Sequence, residues 1–133
     1  MRALVVSLFL LGACSPTPEI ESGQYQIPID SGAAGGARIR LDSTTREITM
    51  LGGCSADVIV YRLNGARLAV VEEAVTSEAC FDGGPYADDV NNRVSELLNQ
   101  HPRVSLTDRG FDLLPPTGGS PVSFVRTSKT DRN

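Results

Sequence analysis

The sequence predicts a mostly β (α+β) fold, a small antiparallel barrel-like domain of about seven or eight strands with one inserted helix. Three observations carry this prediction. Apolar and polar residues alternate along most of the chain, glycine-containing turns separate the alternating runs, and one segment alone has a helical period. The 133 residues, of which 41% are hydrophobic and 21% charged, fit one globular domain.

Two alternating runs near the start of the chain predict the first hairpin. Gln24 to Ile29 alternates before the glycine-rich break at Gly32–Gly36. Arg38–Asp42 and Glu47–Met50 then alternate on either side of a polar turn, as half-buried strands do.

The strongest turn signal is Asn64-Gly65. It separates the β-rich runs Asp57–Leu63 and Ala66–Val71. Asn-Gly favours a type I′ turn, which needs positive φ at both central residues. We therefore expect a second hairpin here.

Only the segment between Pro85 and Gln100 has the period of a helix. Pro85 suits the first helical position, and Pro102 closes the segment. One stripe of this helix carries its large apolar side chains: Tyr86, Val90, Val94, Leu97 and Leu98.

The chain after the helix returns to strands. Arg103–Thr107 and Phe111–Leu114 flank a tight turn, and Val122–Arg126 forms the last alternating run. Residues 128–133 are a polar tail, and the barrel-like domain is expected to span residues 23–127.

The N-terminus has the layout of a secretory signal peptide. Met1-Arg2 is positively charged, and the apolar run Ala3–Leu11 is too short to cross a bilayer of roughly 30 Å. Leu11-Gly12-Ala13-Cys14 resembles the bacterial lipobox, in which the cysteine is diacylated and becomes the new N-terminus. The alternative is an ordinary signal peptide that contains a cysteine.

The lipobox interpretation predicts where the mature protein is found. Residues 1–13 are then a lipoprotein signal peptide, and residues 14–22 are the lipidated Cys14 and a short tether. Several acyl chains on Cys14 give stable attachment to a membrane. By resemblance to enterobacterial sorting, Ser15 in place of Asp favours the outer membrane, facing the periplasm.

The two other cysteines are Cys54 and Cys80. Outside the cytoplasm they are most simply one disulfide, which stabilises by roughly 3.5 kcal/mol for a loop of about 27 residues. A metal site needs further ligands, and the only histidine, His101, has no cysteine near it in the sequence. A redox pair is normally closer in sequence. We expect no metal and no cofactor.

Several of these elements together resemble the META/HslJ-like family. The resemblance covers about residues 39–126 and rests on these segments: Gly52-Gly53-Cys54-Ser55, a hairpin ending in Leu68-Ala69-Val70, Thr76–Cys80 and Val122–Arg126. Ser55 replaces the family's usual Asn, and the chain has no Trp. The resemblance implies a β-rich, barrel-like envelope domain with a Cys54–Cys80 pair. It also implies a link to stress response and drug tolerance, with no established enzymatic reaction.

No set of residues predicts catalysis. His101 is a candidate general base, but a histidine at a helix C-terminus more often contacts the exposed carbonyls. Side chains of the adjacent pairs Glu72-Glu73 and Asp88-Asp89 should diverge. Asp82-Gly83-Gly84 with Asp88 lacks the ligand spacing of a calcium loop.

Two functions from different classes remain. With a net charge of −4, the chain lacks the basic surface of a nucleic-acid binder. One hypothesis is a lipid-anchored module that binds an unidentified envelope protein or maintains the envelope under stress. The other is an inhibitor of a lysozyme or protease, which would present Asp82–Tyr86 or Pro115–Pro121 as a rigid loop.

Overall fold

The computed structural model describes residues 17–53, 55–77 and 84–127, which form a closed antiparallel barrel of eight strands and one helix. This confirms the predicted fold class. The elements are β1 (Gly23–Gln26), β2 (Arg38–Asp42), β3 (Glu47–Leu51), β4 (Ser55–Asn64), β5 (Arg67–Ser77), α1 (Gly84–Leu98), β6 (Arg103–Leu106), β7 (Gly110–Leu114) and β8 (Val122–Arg126).

Several predictions concern residues outside the described ranges. They are the signal peptide, the lipidation of Cys14, the Cys54–Cys80 disulfide, the Asp82-Gly83 loop and the polar tail of residues 128–133. No helix among residues 17–53, 55–77 and 84–127 is long and apolar enough to cross a membrane.

Period-two alternation builds the barrel interior. Every second residue of β2 and β3 is buried, because successive side chains of a strand point to opposite faces. Three aromatic rings fill the space between β1, β7 and β8. Phe111 stacks on Phe124 with 4.8 Å between ring centroids, and Tyr25 meets Phe111 edge-on at 5.0 Å.

The β4–β5 hairpin forms as predicted, but its turn lies one residue later. Asn64 pairs with Arg67, so the central residues are Gly65 and Ala66. Gly65 has a φ of 62°, and Ala66 is not among the residues with positive φ. The predicted type I′ turn is therefore wrong. Positive φ at the first central residue alone is the pattern of a type II′ turn, which requires only one glycine.

Helix α1 ends two residues before the predicted Gln100, and its apolar stripe packs on the barrel. Val90, Val94, Leu97 and Leu98 are all buried. His101, just beyond the helix, has a φ of 56° and marks the reversal toward β6. Burial of this stripe contributes more to helix stability than the propensities of its residues do.

Two polar contacts fix the position of α1 against the barrel. Buried Asn91 donates from Nδ2 to the carbonyl of Gly52 at 3.2 Å, and Ser95 Oγ donates to Glu73 at 2.7 Å. Gly53 has a φ of 87°, and a Cβ there would collide with the Asp88 carboxylate. Gly53 is thus favoured by its backbone conformation, and helix α1 approaches it closely.

The strands alternate in direction around the barrel, which defines two ends. We call the end with the β2–β3, β4–β5 and β6–β7 turns the lower end, and the chain comes into β1 there. The β1–β2, β3–β4 and β7–β8 connections lie at the upper end, where α1 contacts Gly52. The seam between β5 and β6 is narrow, with one registered pair, Arg67 with Arg103.

Candidate functional site: the lower mouth of the barrel

The lower end of the barrel opens into a cavity of about 190 Å³, which we call the lower mouth. Three segments that are far apart in sequence meet around it: the residues before β1, the β6–β7 turn and the end of β8. Its lining residues are Glu19, Ile20, Glu21, Tyr25, Leu106, Thr107, Asp108, Arg109, Gly110 and Arg126.

An N-terminal arm, residues 19–22, is docked against this mouth. Ile20 is only 2% exposed and belongs to the hydrophobic core. The hydroxyl of Tyr25 donates to the Glu21 carbonyl at 2.6 Å, and the Ser43 amide donates to Ser22 Oγ at 2.9 Å. The sequence predicts a tether over residues 14–22, whereas the structure packs Ile20 into the hydrophobic core.

Arg126 lies at the centre of the mouth. Inward-facing Phe124 lies two positions before it, and its neighbour across the β1–β8 seam is Tyr25. Its guanidinium forms an ion pair with Glu21 and donates to the Ser22 carbonyl at 2.8 Å. A Cβ on Gly23 would come within 3.1 Å of the guanidinium, so the glycine leaves room for the arginine.

The Glu21 carboxylate is an exchangeable partner of Arg126. The Glu21 side chain is 80% exposed, whereas that of Arg126 is 31% exposed. An ion pair with so exposed a partner contributes little free energy. A carboxylate or phosphate from another molecule therefore has the chemistry needed to replace Glu21 on the guanidinium.

Both tyrosines near the lower end stay neutral at neutral pH. Burial raises the pKa of Tyr25 above its ordinary value, although the Arg126 charge opposes the rise. Burial also raises the pKa of Tyr61, against the opposing effect of Arg46, whose guanidinium carbon lies 5.9 Å from the ring centroid. The two hydroxyls therefore serve as neutral hydrogen-bonding groups.

Tyr61 differs from Tyr25 in its hydrogen bonding. It is 2% exposed on the inner face of β4, and its hydroxyl makes no hydrogen bond of ordinary geometry. A side-chain hydrogen bond with Arg46 is nevertheless among the effects that oppose the rise of its pKa. A buried hydroxyl with so poor a hydrogen bond adds little to stability.

The described residues that the sequence analysis weighed for chemistry are not among those that line the mouth. His101 is exposed, and its carbonyl accepts from Arg67 at 3.4 Å. Glu73 accepts from Ser95 and from Asn99, so it holds the helix. Within the described ranges, no three His, Cys, Asp or Glu residues are grouped as metal ligands.

The mouth itself was missed by sequence reasoning. Arg126 was assigned only to the last strand, and Ile20 to the tether. Alternation along β8 was the one available signal. Arg126 follows the apolar Phe124 by two positions and therefore faces the same side of the strand. Its contact with Glu21 spans 105 residues of sequence, which local patterns do not reveal.

Comparisons with known proteins support the fold and give no information about the site. No family model and no curated protein matches the chain. An NMR structure of a protein matches with 17% identity and a TM-score of 0.56, covering 80% of this chain and 91% of that one. An NMR structure of a protein from Burkholderia xenovorans matches with 16% identity and a TM-score of 0.52, covering 89% of this chain and 88% of that one. At these identities the likeness shows the fold alone.

Proposed function

We propose that this protein is a lipid-anchored, META/HslJ-like component of the bacterial cell envelope that acts by binding rather than by catalysis. Lipid on Cys14 holds it to the membrane, with the outer membrane and its periplasmic face as the proposed location. Its partner is another molecule of the envelope, and its role is maintenance of the envelope or a response to stress.

The docked arm is the observation that carries this proposal. Ile20 is buried in the core, and it follows Cys14 by only six residues. The six residue steps from Cys14 to Ile20 extend at most about 22 Å. An anchor on Cys14 would therefore keep the lower mouth close to the bilayer, which supports a protein that works at the membrane surface.

The chemistry of the mouth favours recognition of an acidic group. Arg126 is held in place by the Ser22 carbonyl and by the absence of a side chain at Gly23. Glu21 occupies it through an exposed, weak ion pair. An acidic side chain or chain terminus of an envelope protein carries the charge that pairs with Arg126 in place of Glu21.

The register of the hairpin supports the proposed Cys54–Cys80 disulfide. Ser55 and Ser77 are registered partners at the upper end of β4 and β5. Cys54 immediately precedes the first, and Cys80 follows the second by three residues. The chain segments that carry the two cysteines therefore start from neighbouring positions.

Membrane fractionation tests the anchor. The wild-type chain is expected in the membrane fraction, and Cys14→Ser in the soluble fraction or retained as an unprocessed precursor. Cys54→Ser is the matched control, because it removes a thiol without touching the lipobox and should fractionate like the wild type. Processed Cys14→Ser that still partitions into detergent with the membranes contradicts the proposal.

An inhibitor of an envelope-attacking enzyme is the second candidate. The loop after β7 favours it, because residues 116–121 are all exposed and Gly118 has a φ of 83°. Titrating lysozymes and common proteases with the purified protein separates the two functions. Nanomolar inhibition supports the inhibitor, and none at micromolar concentration supports the binding module.

A further inference from the structure

Two arginines face each other across the narrowest seam of the barrel. Arg67 and Arg103 form the one registered pair between β5 and β6. The Leu68 amide donates to the Pro102 carbonyl at 2.9 Å and the Val104 amide to the Ala66 carbonyl at 2.7 Å. These bonds flank the arginine pair, which is therefore a non-hydrogen-bonded pair with its Cα atoms about 4.5 Å apart.

Both arginine side chains point to the outside of the barrel. Leu68 and Val104, their neighbours in sequence, are buried in the core, so the arginines lie on the opposite face of each strand. Both residues are exposed. Like charges directly opposite each other in a sheet are destabilising.

A third exposed arginine, Arg62 on β4, shares this outer face, and we call Arg62, Arg67 and Arg103 the arginine face. The registered partners of these three residues on neighbouring strands are Ala69, Asn64 and Leu114, apart from the Arg67–Arg103 pair itself. None of these partners is acidic. The one ion pair found among the described residues is the pair of Arg126 with Glu21, elsewhere on the barrel.

The arginine face lies beside the point where the arm leaves the barrel. Arg103 begins β6 and Leu106 ends it, so their Cα atoms are about 10 Å apart. Leu106 lines the lower mouth together with Glu19, the first residue of the arm. Leu106 is 49% exposed and lies on the same face of β6 as Val104, so it places an apolar side chain at the rim of the lower mouth.

We propose that the arginine face docks on the anionic phospholipid headgroups of the membrane that holds the protein. This inference rests on the proposed anchor, which limits the face to the vicinity of the bilayer. Guanidinium groups bind phosphate oxygens through paired hydrogen bonds, and basic residues near an anionic bilayer are attracted to its surface. Headgroup phosphates neutralise the like charges at the seam, and Leu106 reaches the interface from the rim of the lower mouth.

A single introduced tryptophan tests the orientation, because the chain has no Trp of its own. Leu106→Trp places the probe at the rim of the lower mouth, with its Cα atom about 10 Å along β6 from that of Arg103. Ile29→Trp places it at a residue that is 78% exposed in the upper β1–β2 connection. The full chain carrying either probe is reconstituted in vesicles containing brominated phosphatidylcholine, with or without phosphatidylglycerol. Quenching is expected for Leu106→Trp, stronger with phosphatidylglycerol, and not for Ile29→Trp.

Two charge-matched double variants locate the docking surface. Arg67→Gln with Arg103→Gln is expected to weaken docking about 30-fold, at roughly fivefold for each arginine near an anionic surface. Quenching of the Leu106→Trp probe then falls to the level in phosphatidylcholine alone. Arg38→Gln with Arg40→Gln removes the same charge from exposed residues of β2 and should leave quenching unchanged. Chemical unfolding of both variants confirms that each remains folded.

The outcomes separate this inference from the anchor. Flotation with vesicles of phosphatidylcholine alone reports the anchor, and quenching of the floated protein reports docking. Equal quenching of the two probes, or an equal loss in the two double variants, overturns the arginine face. A chain that floats with neither kind of vesicle contradicts both the anchor and the docking. A third outcome supports docking and contradicts the anchor. In it, the wild-type chain floats only with vesicles that contain phosphatidylglycerol, and the Arg67→Gln, Arg103→Gln variant no longer floats with them.

Discussion

The two ends of the barrel are closed in different ways. Helix α1 forms the buried Asn91 hydrogen bond at the upper end and buries four apolar side chains along the barrel. At the lower end, a short arm inserts one apolar side chain, Ile20, and is otherwise held by polar contacts of exposed residues. The lower end also contains the buried Tyr61 hydroxyl, which makes no hydrogen bond of ordinary geometry.

This difference shows how stability and binding are divided between the ends. Burial of apolar surface is the main source of folding free energy, so the helix side stabilises the barrel. Exposed ion pairs contribute little, so the contacts of the arm can be exchanged at small cost. The end that is closed less firmly is also the end to which the proposed lipid anchor is attached.

The largest expected effect comes from the helix side. Leu98→Ala removes a side chain that is 1% exposed and should lower the free energy of unfolding by about 2–5 kcal/mol. Urea denaturation measures the loss. Glu96→Ala, on the exposed face of the same helix, is the control and should change stability by less than about 0.5 kcal/mol. Equal losses would show that the helix does not close the barrel.

Ile20→Ala is expected to cost less, about 2 kcal/mol, because the arm can detach while the barrel remains folded. Hydrogen exchange should accelerate at the Ser43 amide, which donates to Ser22, and stay slow in β4. Thr17→Ala, at an exposed residue before the arm, serves as the control. No change in unfolding or exchange would mean that the arm does not belong to the packed domain.

Loss of the hydroxyl should change the free energy of unfolding in opposite directions at Tyr61 and Tyr25. Tyr61→Phe removes a buried hydroxyl that makes no hydrogen bond of ordinary geometry and should raise the free energy of unfolding by about 1 kcal/mol. Tyr25→Phe loses the hydrogen bond to the Glu21 carbonyl and should lower it by about 1 kcal/mol. Thermal unfolding compares the two, and a loss in both would mean that Tyr61 has a partner.

The pH dependence of Tyr61→Phe follows from the direction of the pKa shift. The pKa of Tyr61 is raised by burial, so above pH about 10 the unfolded chain loses this proton more readily than the folded one. Stability from this group is complete below that pH and is lost as the pH rises toward the folded pKa. Tyr61→Phe should therefore lose less stability than the wild type when unfolding is measured above pH about 10.

The smallest effect is expected at the ion pair of the mouth. Glu21→Gln should change the free energy of unfolding by less than about 1 kcal/mol, because the carboxylate is exposed. It should at the same time increase binding of small carboxylates to Arg126, measured by chemical shifts of the arginine side chain. Glu19→Gln is the control. Weaker carboxylate binding in Glu21→Gln than in the control would show that Glu21 assists the ligand.

The barrel was predictable because its signals are local. Alternation over five or six residues sets which side chains of β2, β3 and β8 face the core, and the 85–100 stripe marks the helix. The predicted turn was misplaced by one residue. Either Asn64-Gly65 or Gly65-Ala66 could form the two central residues of a hairpin turn at this point, and the structure uses the second. The registration of the strands, not the turn residues alone, decides between them.

The lower mouth was not predictable in the same way. Ile20 follows a proline-rich stretch that is typical of a tether, and one apolar residue gives no period. Arg126, Tyr25 and Glu21 meet only because closure of the barrel joins β8 to β1. Such a contact depends on the completed fold, whereas the helix and the hairpins depend on neighbours in sequence.

The mass of the N-terminal peptide from the membrane fraction tests the central claim most directly. A lipid-anchored protein is expected to yield a peptide that begins at Cys14 and carries diacylglycerol on its sulfur. A peptide that begins at Met1, or one with a free thiol at Cys14, would contradict the anchor. It would also remove the reason for placing the lower mouth at the membrane.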